Sequence, residues 1–117
     1  MNVTFIILSV LLATTMLGPG VTKVLKRPQA TEGAEHLGYS VSAFQAIGAL
    51  EVAAAAGLVI GLFWTPLGIA AAAGLVLLLG GAVFSHRRVG DGPKLFLPAL
   101  VLAVVAAATL IVGFTVL

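Results

Sequence analysis

The apolar positions of this chain fall into four long blocks, at about 3–26, 43–63, 66–86 and 94–116, and the charged positions lie almost entirely between them. Each block is close to the ~20 residues a helix needs to cross the hydrocarbon core of a bilayer. The pattern predicts an all-α integral membrane protein, a single domain built as an antiparallel four-helix bundle. The opening stretch MNVTFIILSVLLATTMLG lacks the positively charged start of a secretory signal and reads as the first span.

Local signals suggest where the helices begin and bend. Ser42-Ala43-Phe44-Gln45 has the form of a capping box, with Ser42 as N-cap. Thr65-Pro66 reads as an N-cap followed by proline at the first helical position. Gly90-Asp91-Gly92-Pro93 breaks the chain before the last span, and Pro98 either kinks that span or begins its regular part. Pro19, in Gly18-Pro19-Gly20, removes a hydrogen bond to the carbonyl of Thr15 and predicts a kink there. The first connection, RPQATEGAEHLGYSVSA, reads as a solvated loop; a short surface helix over Thr31 to Leu37 is the alternative.

Composition agrees with the pattern. Of 117 residues, 61% are hydrophobic and 9% charged, against ~25% charged in a typical soluble domain. The absence of cysteine removes thiol chemistry, thiolate metal sites and disulfides. A net charge of +2 does not suggest nucleic acid as a partner. The placement of charge says more. All 6 Lys and Arg residues lie in or beside the first and third connections. The second connection, Phe63-Trp64-Thr65-Pro66, and both termini carry no charged side chain. The positive-inside rule puts the charged connections in the cytoplasm and both termini on the extracytoplasmic side of the plasma membrane, with Trp64 as an interfacial anchor.

Glu51 stands out against this background. It sits in AIGALEVAAAAGL, about eight residues into the second span and so ~12 Å deep. An ionisable group there costs at least ~2.5–3.5 kcal/mol and usually faces the bundle interior. It is expected to be protonated, paired or in a wet cavity. Side chains tilt towards the start of their own helix. Glu51 therefore leans towards the charged end, while Lys23 and His86, at the ends of spans one and three, lean into the membrane. Glu51, His86 and Lys23 are the candidate catalytic residues. Gln45, Gly48, Tyr39, Ser85, Asp91 and Thr15 are candidates for binding a ligand. Two histidines and one deep acid do not specify a metal site. The many Gly and Ala residues let helices approach closely in lipid, and Gly57-x-x-x-Gly61 is compatible with a homodimer.

Three stretches together resemble the DoxX-like family of small four-helix membrane proteins: GPGVTKVLKR, AIGALEVAAAAGLVIGL and GGAVFSHRRVGDGP. The resemblance covers nearly the whole chain. It implies a four-helix bundle with characteristic polar positions at Lys23, Glu51 and His86, with Gly48 and Gly90-Asp91. It also implies an association with quinone-linked oxidation and membrane redox complexes. Activities that need a cysteine-bound sulfur do not carry over.

These readings favour a membrane-embedded acid/base site for a small lipophilic ligand, quinone-like or isoprenoid-like, with quinone as the candidate cofactor. Two other functions fit the same pattern. One is an accessory subunit of a larger membrane redox or lipid-related complex. The other is a small proton-coupled transporter. In small multidrug exporters, however, the membrane acid lies in the first span and the loops are short.

Overall fold

The computed structural model describes residues 2–117. Five helices follow one another: α1 (Val3–Val24), α2 (Pro28–Leu37), α3 (Val41–Ile60), α4 (Thr65–Arg88) and α5 (Pro93–Val116). There is no strand among the described residues. Helices α1, α3, α4 and α5 are long and apolar enough to cross a membrane. The chain is a multi-pass membrane protein.

The helix ends correct several expectations. The N-cap of α3 is Ser40, whose hydroxyl accepts from the Ala43 amide at 3.1 Å; Ser42 lies inside the helix. Serine two residues earlier wins because Gly38 and Tyr39 have already closed the preceding helix. Trp64, not Thr65, occupies the N-cap of α4. Helix α5 begins at Pro93, and Pro98 lies within it. Helix α1 runs through Pro19 to Val24, and the hydroxyls of Thr14 and Thr15 bond back to carbonyls at residues 10–12.

The largest difference is the first connection, which is mostly helix. Helix α1 closes with Lys26 in the left-handed region (φ 55°) and Arg27 N–H donating to Thr22 O at 2.9 Å. This returns the chain sharply, in the manner of a Schellman cap. Arg27 is extended, as a residue before proline prefers, and Pro28 then starts α2 where its missing N–H costs nothing. Gly38 ends α2 at φ 82°, a conformation that favours glycine. The buried residues of α2 are Ala30, Ala34 and Leu37, one stripe at helical spacing. That stripe has alanine at two of three positions and so carries little apolar signal.

The long helices bury equally narrow stripes. In α1 the stripe includes Phe5, Ser9, Leu12, Met16 and Gly20; in α3 it is Gly48, Glu51, Ala55 and Leu58. In α4 it is Gly68, Ala72, Leu75 and Leu79. The other faces carry exposed Leu, Val, Ile and Phe, as lipid-facing helices should. Leu12, Met16, Leu58, Leu75 and Ala106 form the middle of the core.

Close approach at the ends depends on glycine. At one end Gly61 meets the Gly68 backbone, and a Cβ on Gly113 would lie 2.8 Å from Ile69 Cγ1 and 3.1 Å from Phe5. At the other end a Cβ on Gly48 would lie 2.5 Å from Lys23 Cβ and 2.7 Å from Gly20 O. Helices α1 and α3 therefore touch backbone to backbone beside Lys23.

Candidate functional site

The charged end of the bundle holds a cavity of about 450 Å³, with walls from all five helices or their adjoining turns. Most of its wall is apolar, including Met16, Phe44, Leu79 and Leu102. Its polar residues are Lys23, Tyr39, Glu51, Ser85 and His86. Leu77, also in the wall, is 78% exposed on the lipid-facing surface. The cavity thus reaches the bilayer side of the molecule.

Glu51 is on the inward stripe of α3, ten residues from its start at Val41, and so ~15 Å along the helix. It is 3% exposed. Lys23 Nζ donates to Glu51 Oε1 at 2.6 Å. The contact exists because Gly48 and Gly20 let the two helices meet one turn away. Lys23 Nζ also sits 5.3 Å above the Phe44 ring, a cation–π contact. Lys23 is therefore the direct partner of Glu51, and this pair is charge-assisted and largely desolvated.

His86 has a different partner. Its Nδ1 lies 2.6 Å from Asp91 Oδ2. Because a carboxylate only accepts, Nδ1 carries the hydrogen. Asp91 also accepts from His36 Nε2, at 2.8 and 2.9 Å. Hydrogen bonds from the two imidazoles, that from His86 above all, hold the Asp91 carboxyl below the usual carboxylate range. His36 was not among the candidate residues. The exposed edge of α2 presents it to the α4–α5 turn, a placement that depends on α2 being a packed helix.

Tyr39 and Ser85 join the connection after α2 to α4, with their oxygens 2.6 Å apart. Arg88 donates to Leu37 O at 3.0 Å and lies over the Tyr39 ring. It ties the end of α2 to α4, a part that its reading as a topology signal did not include.

The remaining candidates lie outside the cavity wall. Gln45 donates to Val24 O at 2.9 Å and caps the end of α1. Gly48 forms the helix contact described above. Asp91 stands behind His86. Thr15 bonds its own helix and does not border the cavity. Glu51 and His86 share the cavity, but each is held by another side chain, so the structure does not make them a directly bonded pair. Among the described residues, no group of His, Cys, Asp and Glu is arranged to hold a metal ion.

A four-span membrane bundle with a largely apolar cavity at one end, carrying a few polar side chains, is the class that the fold and site define. The sequence model of the DoxX-like family matches residues 7–114, nearly the whole chain, and the chain belongs to that family. No curated protein and no solved structure gives a significant match.

Proposed function

We propose that this protein takes a small lipophilic molecule from the bilayer and handles protons at its polar head. One observation carries the reading. A largely apolar cavity of about 450 Å³ contains Lys23, Glu51 and His86 and reaches the lipid-facing Leu77. Small-ligand sites of ~300–1,000 Å³ with a few polar groups are typical. The apolar wall suits a quinone-like or isoprenoid-like body. Lys23 with Glu51, and His86 with Asp91, are two separate pairs able to hold or move a proton. Lys23 would also stabilise negative charge on a ligand oxygen.

In this reading the spans run antiparallel, with the charged end in the cytoplasm and both termini across the plasma membrane. The 6 Lys and Arg residues at that end support it.

Native mass spectrometry of gently purified protein is expected to find one retained small lipid. Ala82→Trp, in the cavity wall, should expel it. Gly74→Leu should not, because Gly74 is outside the wall and a Cβ there meets nothing within 4 Å. A wild-type spectrum without any adduct, together with no uptake of added short-chain ubiquinone, would sink the reading. A protein partner co-purifying at fixed stoichiometry in place of the lipid would favour an accessory subunit.

A further inference from the structure

We infer that the cavity selects a ligand whose polar head carries a hydroxyl over one whose head can only accept hydrogen bonds. This rests on the ligand-binding reading above.

Ser85 has one polar side-chain hydrogen, and it goes to Gly81 O at 2.9 Å. Tyr39 Oη is 2.6 Å from the same serine oxygen. With the serine hydrogen committed, the phenol must be the donor. Both hydroxyls then have only lone pairs to offer. His86 gives its Nδ1 hydrogen to Asp91 at 2.6 Å. In the neutral ring this leaves Nε2 with a lone pair, and no described residue bonds it. His36 donates to the same carboxylate, at 2.8 and 2.9 Å, which further fixes Asp91 as an acceptor. Glu51 uses Oε1 for Lys23, and its Oε2 has no partner among the described residues.

Lys23 alone has N–H groups left to give. The wall therefore offers one donor and several acceptors: His86 Nε2, Glu51 Oε2 and the Tyr39 oxygen. A ketone or ether head can satisfy Lys23 and nothing else. A hydroxyl head accepts from Lys23 and donates to one of the free acceptors. The difference is one hydrogen bond in a desolvated site, where an unmade bond is costly.

The test uses two matched pairs of probes: 4-hexylphenol with 4-hexylanisole, and geraniol with its methyl ether. Affinities are measured by titration calorimetry of the protein in lipid nanodiscs. They are corrected for partition into empty nanodiscs. Each alcohol is expected to bind about tenfold more tightly than its ether. A larger ratio in the phenol pair would mark an aromatic hydroxyl as the natural head, and a larger ratio in the geraniol pair an isoprenoid alcohol. Asp91→Asn can donate to Nδ1 and let Nε2 carry the hydrogen. It should reduce the ratio to about threefold or less while both probes still bind.

Equal affinities for alcohol and ether in the wild type would overturn the hydroxyl preference and leave the cavity reading standing. No binding of any probe would overturn both. An Asp91→Asn variant with the full wild-type ratio would remove His86 as the acceptor that discriminates.

Discussion

The two ends of the bundle use the same device and reach opposite results. Both bring helices together at glycine. At the uncharged end, Gly61, Gly68 and Gly113 meet neighbouring backbone or the ring of Phe5, and the space is filled. At the charged end, Gly20 and Gly48 clamp α1 to α3, yet a cavity of about 450 Å³ remains beside them. Helix α5 records the difference. Its buried residues are Ala106, Thr109 and Gly113, all in its second half. Its first half borders the cavity through Leu95, Pro98, Ala99 and Leu102. Glycine contacts thus set how near two helices come. Whether the remaining space closes depends on the side chains beyond the contact. Phe5 fills one end, whereas the other carries short or polar groups tied to one another.

The largest effect at the charged end is expected from Glu51. Glu51→Ala leaves Lys23, whose side chain is 19% exposed, without its counter-charge. Removing one member of a buried pair costs ~3–5 kcal/mol, and the partial exposure of Lys23 lowers the expectation to about 2–3 kcal/mol. Unfolding in mixed detergent micelles would measure it. The double variant Lys23→Met with Glu51→Leu should recover most of the loss, because an apolar pair leaves no charge behind.

Gly48→Ala comes next. Its new methyl would meet Lys23 Cβ at 2.5 Å and Gly20 O at 2.7 Å. Overpacking of this kind costs ~1–3 kcal/mol. Because the clash pushes Lys23, the ligand-retention signal in native mass spectrometry should fall as well. Gly113→Ala, against Ile69 at 2.8 Å, should destabilise comparably but leave retention unchanged. Equal effects on retention from both ends would remove the functional distinction between them.

Acid should loosen only the charged end. The Asp91 carboxyl is held below its ordinary value, chiefly by the hydrogen bond from His86. Its contribution is therefore fully present above about pH 3.9 and is lost as pH falls through the lowered folded value. Hydrogen exchange is expected to speed up in α2 over that range. The uncharged end has no Asp, Glu, Lys, Arg or His side chain and should not respond. The smallest loss belongs to Gly80→Ala, whose methyl meets nothing within 4 Å in the interior of α4 and which should be neutral or stabilise by up to ~1 kcal/mol.

Much of the site could be read from residue order and depth. Glu51 was conspicuous because an acid within an alanine-rich span must find a partner. Lys23 was within reach because side chains on α1 and α3 lean towards each other. His86 reached the cavity wall for the same reason, but its own partner did not follow from depth. Asp91 is only five residues away, at a turn whose glycines permit many paths. The part of α2 was hidden for a different reason. A ten-residue helix with alanine at two of its buried positions gives little apolar signal, so its polar residues looked like those of a loop. With α2 read as a loop, His36 had no fixed place, and Tyr39 and Arg88 had no visible reason to meet.

Residue order alone dictates the four spans, the segregation of positive charge and the presence of an acid that could not stay unpaired. These follow from the cost of exposing polar groups to hydrocarbon, which acts on every residue wherever its neighbours lie. The packing of the helices is what pairs Lys23 with Glu51, gives Asp91 both histidines and leaves one end open. Those outcomes depend on approaches of a few ångströms between distant segments, set by missing Cβ atoms at Gly20 and Gly48 and by the turn that folds α2 onto the bundle.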